Sequence, residues 1–197
     1  MKRRILIILP VAIILTVAVL FVWKARADRH FYDGYDASVP LNAIASEPEP
    51  VDETIKSFDQ SMHANYRRQR VEFDARPGER VPVEFTLPLK ADAPMPVVIL
   101  LHGSDQEKEF VEEICTPFNE AGFAMACYDQ YMRGERKVKG NPLTIALAYR
   151  ERCWKTVHDT RRLIDYLQTR PDIDHNRIYL VGASYGAVTG TAVLAQE

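Results

Sequence analysis

Three continuous apolar runs constrain the fold of this 197-residue chain more than any other feature: VVILL at 97–101, GFAMACY at 122–128 and IYLVG at 178–182. A strand with one wet face alternates apolar and polar residues, so runs without alternation predict strands buried on both faces. Between the runs, apolar residues return at helical spacing: Phe110, Val111, Ile114, Cys115 and Phe118 in the first interval, Trp154, Val157, Ile164 and Leu167 in the second. Strand, helix, strand, helix, strand is the signature of an α/β domain with a mostly parallel sheet and crossover helices.

Upstream the pattern changes. Val71 and Phe73, then Val81, Val83, Phe85 and Leu87, alternate with polar residues around RPGE, where Pro77 and Gly78 suit a type II turn. This predicts an N-terminal antiparallel hairpin. Pro82 has no N–H to donate, which predicts an edge position for its strand. Ile55, Phe58, Met62 and Tyr66 recur at near-helical spacing behind Asp52 and Thr54, both able to cap, and predict a short amphipathic helix.

Residues 5–23, ILIILPVAIILTVAVLFVW, form 19 positions without a charge, enough to cross about 30 Å of hydrocarbon. Lys2, Arg3 and Arg4 precede the run and favour retention of that end in the cytoplasm. Two readings stand: a transmembrane anchor, or a cleavable secretory signal ending at Ala25-Arg26-Ala27 before Asp28. Either places the rest of the chain outside the cytoplasm, so the expected organisation is an anchor or signal at 1–27, a proline-containing linker at 28–51 and a domain at 52–197. Beyond residue 27 there are 20 basic and 27 acidic side chains, a formal net of −7, which argues against nucleic acid as a partner. Cys115, Cys127 and Cys153 are too few and too widely spaced for a disulfide scaffold or a zinc site and read as structural thiols.

Gly182-Ala183-Ser184-Tyr185-Gly186 fits the G-x-S-x-G nucleophile elbow, and its context fits too, with IYLVG before it and the small residues of AVTGTAVLA after it. Such a turn holds the serine in a strained backbone conformation, and side chains at positions 182 and 186 would collide with neighbouring backbone. A glycine-rich phosphate-binding turn is the alternative, but G-x-G-x-x-G is absent and no lysine follows the glycines. His102-Gly103-Ser104 closes the first buried strand. Gly103 lets the backbone bend so that the Ser104 N–H, with the Tyr185 N–H, can face a developing oxyanion; an ordinary strand-ending turn is the alternative. Asp129 and Arg133 follow the second buried strand, where they read either as substrate contacts at the rim or as solvated loop charges.

With these pieces in order, the chain resembles the α/β-hydrolases, in the branch of dienelactone hydrolases, acetyl xylan esterases and prolyl-oligopeptidase-like enzymes. The resemblance rests on VEFDARPGERVPVEFTLP, PVVILLHGS, GFAMACYDQYMRGER and the helix with Asp159 leading to DYLQTRPDIDHNRIYLVGASYGA, and it covers residues 69 to 190. It implies a serine ester hydrolase acting on a small ester or acyl substrate, with Ser184 as nucleophile, the Ser104 and Tyr185 amides as oxyanion hole, and no metal or organic cofactor. A prolyl-oligopeptidase-like peptidase and a non-catalytic domain that kept the fold are the other readings. In this fold an acid and then a histidine follow the serine along the chain, whereas after Ser184 there is no His or Asp, only Glu197. His102 alone is expected at the correct end of the sheet, in a structural role. The expectation is an N-terminal portion of a longer hydrolase, with IYLVG left as an exposed apolar edge where the family places it mid-sheet.

Overall fold

The computed structural model describes residues 2–57, 60–91 and 94–197, with side chains from Ile13 onward apart from those of residues 56–60. Two compact units divide the chain, Met1–Tyr35 and Asp36–Glu197. The first is built on helix α1 (Lys2–Arg29). The transmembrane helix expected over 5–23 is not supported: among the described residues no helix is long and apolar enough to cross a membrane. The described apolar stretch runs from Ile13 to Trp23 before Lys24 interrupts it. The remainder of the expected span, residues 5–12, has its side chains outside the described residues.

The second unit carries one mixed seven-stranded sheet, formed by β1 (Ile44–Ala45), β2 (Glu49–Ser57), β3 (Gln60–Arg76), β4 (Glu79–Leu87), β5 (Met95–Leu101), β6 (Ala124–Tyr128) and β7 (Ile173–Gly182). The order is β1-β3-β4-β6-β5-β7, with β2 also on β3. β5 runs parallel to β6 and β7, while β4 meets both β3 and β6 antiparallel. Helices α2 (Phe110–Ile114) and α3 (Thr116–Glu120) connect β5 to β6, and α4 (Pro142–Gln168) connects β6 to β7. The missing alternation in VVILL now has its cause. Val98 and Leu100 pack with Val111, Cys115, Met125 and Cys127 on the α2/α3 face, whereas Val97, Ile99 and Leu101 pack with Leu163, Tyr166 and Leu167 on the α4 face.

Three expectations change. The amphipathic helix near residues 55–66 is instead the β2–β3 pair, with Ile55 opposite Met62 and Val51 opposite Tyr66. Met62 and Tyr66 are four apart, a spacing that shares a face in a strand as well as in a helix, so the period did not discriminate. The segment read as linker supplies β1 and the start of β2. Pro82 lies within an interior strand: its carbonyl accepts from the Asp129 N–H at 3.1 Å, just past the last β4–β6 pair, Val83 with Tyr128. Its ring nitrogen faces the same way and cannot donate to the Asp129 carbonyl, which accepts from Arg136 Nη1 at 3.1 Å instead. β7 is the last strand in the order, and Tyr179 and Val181 are exposed on it.

β4 also places a carboxylate, Glu84, wholly inside the domain, with neither oxygen hydrogen-bonded among the described residues. The Nε atoms of Arg70 and Arg68 lie 3.4 and 3.8 Å away. Burial, reinforced by Glu112, pushes its pKa up to about 7 against the opposing pull of the two arginines. In the unfolded chain the group releases its proton near 4.5, so between these values the folded state binds more protons. Its stability contribution is therefore present at low pH and lost as pH rises toward 7. Glu84→Gln should raise the thermal midpoint at pH 8, by an amount corresponding to at most ~3 kcal/mol, and change it little at pH 5. A lowered midpoint at pH 8 would show that the arginine contacts outweigh the buried charge.

Candidate active site

The connection from β5 to β6 runs to one side of β5 and the connection from β6 returns past it to β7 on the other side, with the two sets of helices on opposite faces. This makes the carboxyl ends of β5 and β7 a topological switch point, where α/β sheets open a crevice. Both glycine-bearing motifs arrive there. Leu101 of β5 pairs with Gly182 of β7, and the Leu101 carbonyl accepts from the Ala183 N–H at 3.0 Å.

The next residue, Ser184, has φ 51° and ψ −113°. This is the region of the first central position of a type II′ turn, ordinarily held by glycine, and costs a side-chain-bearing residue about 1–3 kcal/mol. Ser184 is exposed and caps α5 (Tyr185–Leu194) without a side-chain cap bond. The sharpness of the turn comes from its flanking glycines. A Cβ on Gly186 would fall 1.9 Å from the Leu101 carbonyl oxygen, and one on Gly182 would fall 2.5 Å from the Gly186 oxygen. From β5, a Cβ on Gly103 would lie 3.7 Å from Ser184 Cβ, so the 102–104 turn rests against the serine. Gln106 holds that turn by accepting from the Gly103 N–H at 2.8 Å. Tyr185 opens α5, where the first amides have no intrahelical acceptor and the helix end favours negative charge. Gly103, Gly182, Ser184 and Gly186 thus converge, with Ser104 and Tyr185 next along their two segments.

The histidines are engaged elsewhere. His102 is fully buried, its Nδ1 2.8 Å from the Gly103 carbonyl, and burial holds its pKa below the usual range. His158 stacks on Trp154 at 4.0 Å. His175 bonds the Arg170 carbonyl, while His63 and His30 lie against Asp52 and Asp33. Among the described residues none is hydrogen-bonded to Ser184. The three cysteines are free, and burial raises the Cys115 thiol to about 11, leaving it an inert core group.

Asp129 is neither a rim contact nor a solvated charge. It is fully buried and accepts from the Lys108 N–H at 2.9 Å, the Lys108 ammonium at 3.1 Å and the Glu135 N–H at 2.9 Å, fastening the loops after β5 and β6 together. Arg133 reaches the exposed Asp105 at 3.2 Å. Two groups that motif reading passed over are as prominent. Buried Asp159 accepts from Arg76 at 2.8 Å and Arg136 at 2.7 Å. Buried Arg152 lies over the Tyr185 ring and donates to Gln130. Their signal was present in α4: Arg152, Lys155, Thr156, Asp159 and Arg162 recur at the helical period on its buried side, and a polar stripe on a covered face marks an internal network.

The comparisons agree with this geometry. The family model described as the dienelactone hydrolase family matches residues 83–197. A search of curated proteins found no match. Among solved structures, a Bacteroides fragilis protein assigned as an acetyl xylan esterase superposes with TM-score 0.65 at 14% identity, covering 88% of this chain and 48% of its own. The acetyl xylan esterase of Paenibacillus sp. R4 gives 0.58 at 19%, covering 89% and 55%. A cold-adapted esterase from an Arctic intertidal metagenomic library gives 0.56 at 19%, covering 74% and 59%. The chain spans about half the length of these three proteins. At such identities the likeness shows the fold. With the elbow at the switch point and the family model spanning more than half of the residues, the chain belongs to the dienelactone hydrolase family and has the α/β-hydrolase fold of that family.

Proposed function

We infer that the protein hydrolyses carboxylic esters of small acyl groups with Ser184 as nucleophile. The observation that carries this is the backbone of Ser184, an exposed serine held at φ 51° between two glycines that neighbouring backbone leaves no room to replace. Strain of this kind persists where the surroundings impose it, and it is concentrated at reacting groups. The esterases among the structural relatives support the substrate class.

In this reading Ser184 Oγ attacks the carbonyl carbon, and its proton passes to a general base. The carbonyl oxygen becomes an oxyanion, which accepts from the Ser104 and Tyr185 amides at the mouth of α5. Collapse of the tetrahedral species breaks the ester C–O bond and releases the alcohol, which takes up a proton, and water then cleaves the acyl-serine by the same steps reversed in role. The test is covalent trapping. A fluorophosphonate probe incubated with the full-length protein should form one adduct, and peptide mapping should place it on Ser184. An unlabelled protein, or a label on another residue, would refute the assignment.

A further inference from the structure

Arg152 is the anomaly of the interior. Three arginines are buried among the described residues, and two of them reach carboxylates, Arg162 on Asp165 and Arg170 on Asp172. Arg152 is fully buried, and among the described residues its Nε and Nη1 have no hydrogen-bond partner. Its Nη2 donates to Gln130 Oε1 at 3.1 Å. Burial, followed by the charge of Arg133, outweighs its aromatic neighbours and lowers its pKa. A buried charge without a counter-charge costs stability, and a packed apolar side chain is often better tolerated there. A stability role therefore explains Arg152 poorly.

What the guanidinium touches explains it better. Its carbon lies 4.0 Å from the centre of the Tyr185 ring, the side chain of the residue whose amide opens α5 beside Ser184. Through Gln130, whose Nε2 donates to the His102 carbonyl at 3.0 Å, it also reaches the segment that continues into Gly103 and Ser104. One planar cation thus spans the two main-chain segments whose amides face the developing charge in the reading above, on which this inference rests. We propose that Arg152 is a positioning residue for the oxyanion hole: stacked on Tyr185 and tied through Gln130 to the His102–Ser104 turn, it fixes the separation of the two donors.

An interaction that matters only as charge develops on the carbonyl oxygen should appear in kcat and leave KM alone. In the full-length protein, Arg152→Met should lower kcat on an acetyl nitrophenyl ester by about 10²-fold, the scale of one lost oxyanion donor, with KM held within about twofold. The thermal midpoint should be maintained or raised, since a buried unpaired charge has gone. The preference for an oxygen ester over its thionoester should shrink as well, because sulfur is larger and a weaker acceptor and gains little from well-placed donors. Arg152→Lys keeps the charge without the stacked plane and should fall between. An unchanged kcat would overturn the proposal, and so would a midpoint that collapses together with kcat at an unaltered oxygen-to-sulfur preference. Full turnover in Ser184→Ala would instead remove the underlying reading, a separate outcome visible before Arg152 is touched.

Discussion

Ser184→Ala is expected to lower ester turnover by roughly 10⁵- to 10⁶-fold, the scale seen when subtilisin loses its nucleophile, while the far-ultraviolet circular dichroism of the protein stays that of the parent. The substitution deletes only Oγ, and no side-chain cap bond to α5 is lost with it. What remains, the main-chain amides and the substrate contacts, cannot form an acyl-enzyme. Ser184→Gly should be equally inactive and more stable than the alanine variant by about 1 kcal/mol, because glycine relaxes at φ 51° and alanine does not. Nitrophenyl acetate hydrolysis and a denaturant titration of the three proteins would decide both points. Turnover in the alanine variant equal to that of the parent would refute the role given to Ser184.

The second large effect is steric. Gly186→Ala places a methyl 1.9 Å from the Leu101 carbonyl oxygen and 2.5 Å from its carbon. Both atoms are main chain in the fully buried strand β5, so no rotamer change relieves the overlap, and either the elbow or the strand must shift. A loss of about 4 kcal/mol or more follows, the range reserved for such clashes, with activity lost in the same variant. Gly190→Ala provides the control. Its methyl would meet Leu180 Cδ2 at 3.4 Å, the tip of a side chain, and the change should stay within about 1 kcal/mol because a helical glycine also gains from replacement by alanine. Equal denaturation midpoints for Gly186→Ala and the parent would show that the elbow is not packed as described.

The buried strands β5, β6 and β7, the β3–β4 hairpin and the elbow were all legible in the sequence. Each depends on a short-range cue: a run with no polar interruption, an alternation, a pair of glycines about a serine. The misreadings share a different cause. Met62 and Tyr66 satisfy helical and strand periods together, and only the pairing of β2 with β3 decides between them. Pro82 announces a missing donor, but the local sequence does not say that β6 ends where that donor would have been used. Asp129 looked like a loop charge because its partners, Lys108 and Glu135, belong to loops brought together only by the β5–β6 pairing. Arg152 was visible as one of a series of polar residues at helical spacing, yet what the series faces is set by Gln130 and Tyr185, on other elements.

The Leu101 carbonyl ties Ala183 to a strand that precedes it by 82 residues, and the same carbonyl crowds Gly186. Nothing local to 182–186 compels Ser184 into the conformation it holds, since in a free peptide the strained state would be abandoned for an ordinary one. The constraint exists only once β7 has docked beside β5, and closing so long a loop is an entropically demanding step of assembly. During synthesis, and in any partly folded form that lacks the β5–β7 contact, residue 184 is a serine like any other. The strained geometry is thus a product of completed folding, and if Ser184 acts as proposed above, an immature chain stays chemically silent until its sheet has closed around that carbonyl.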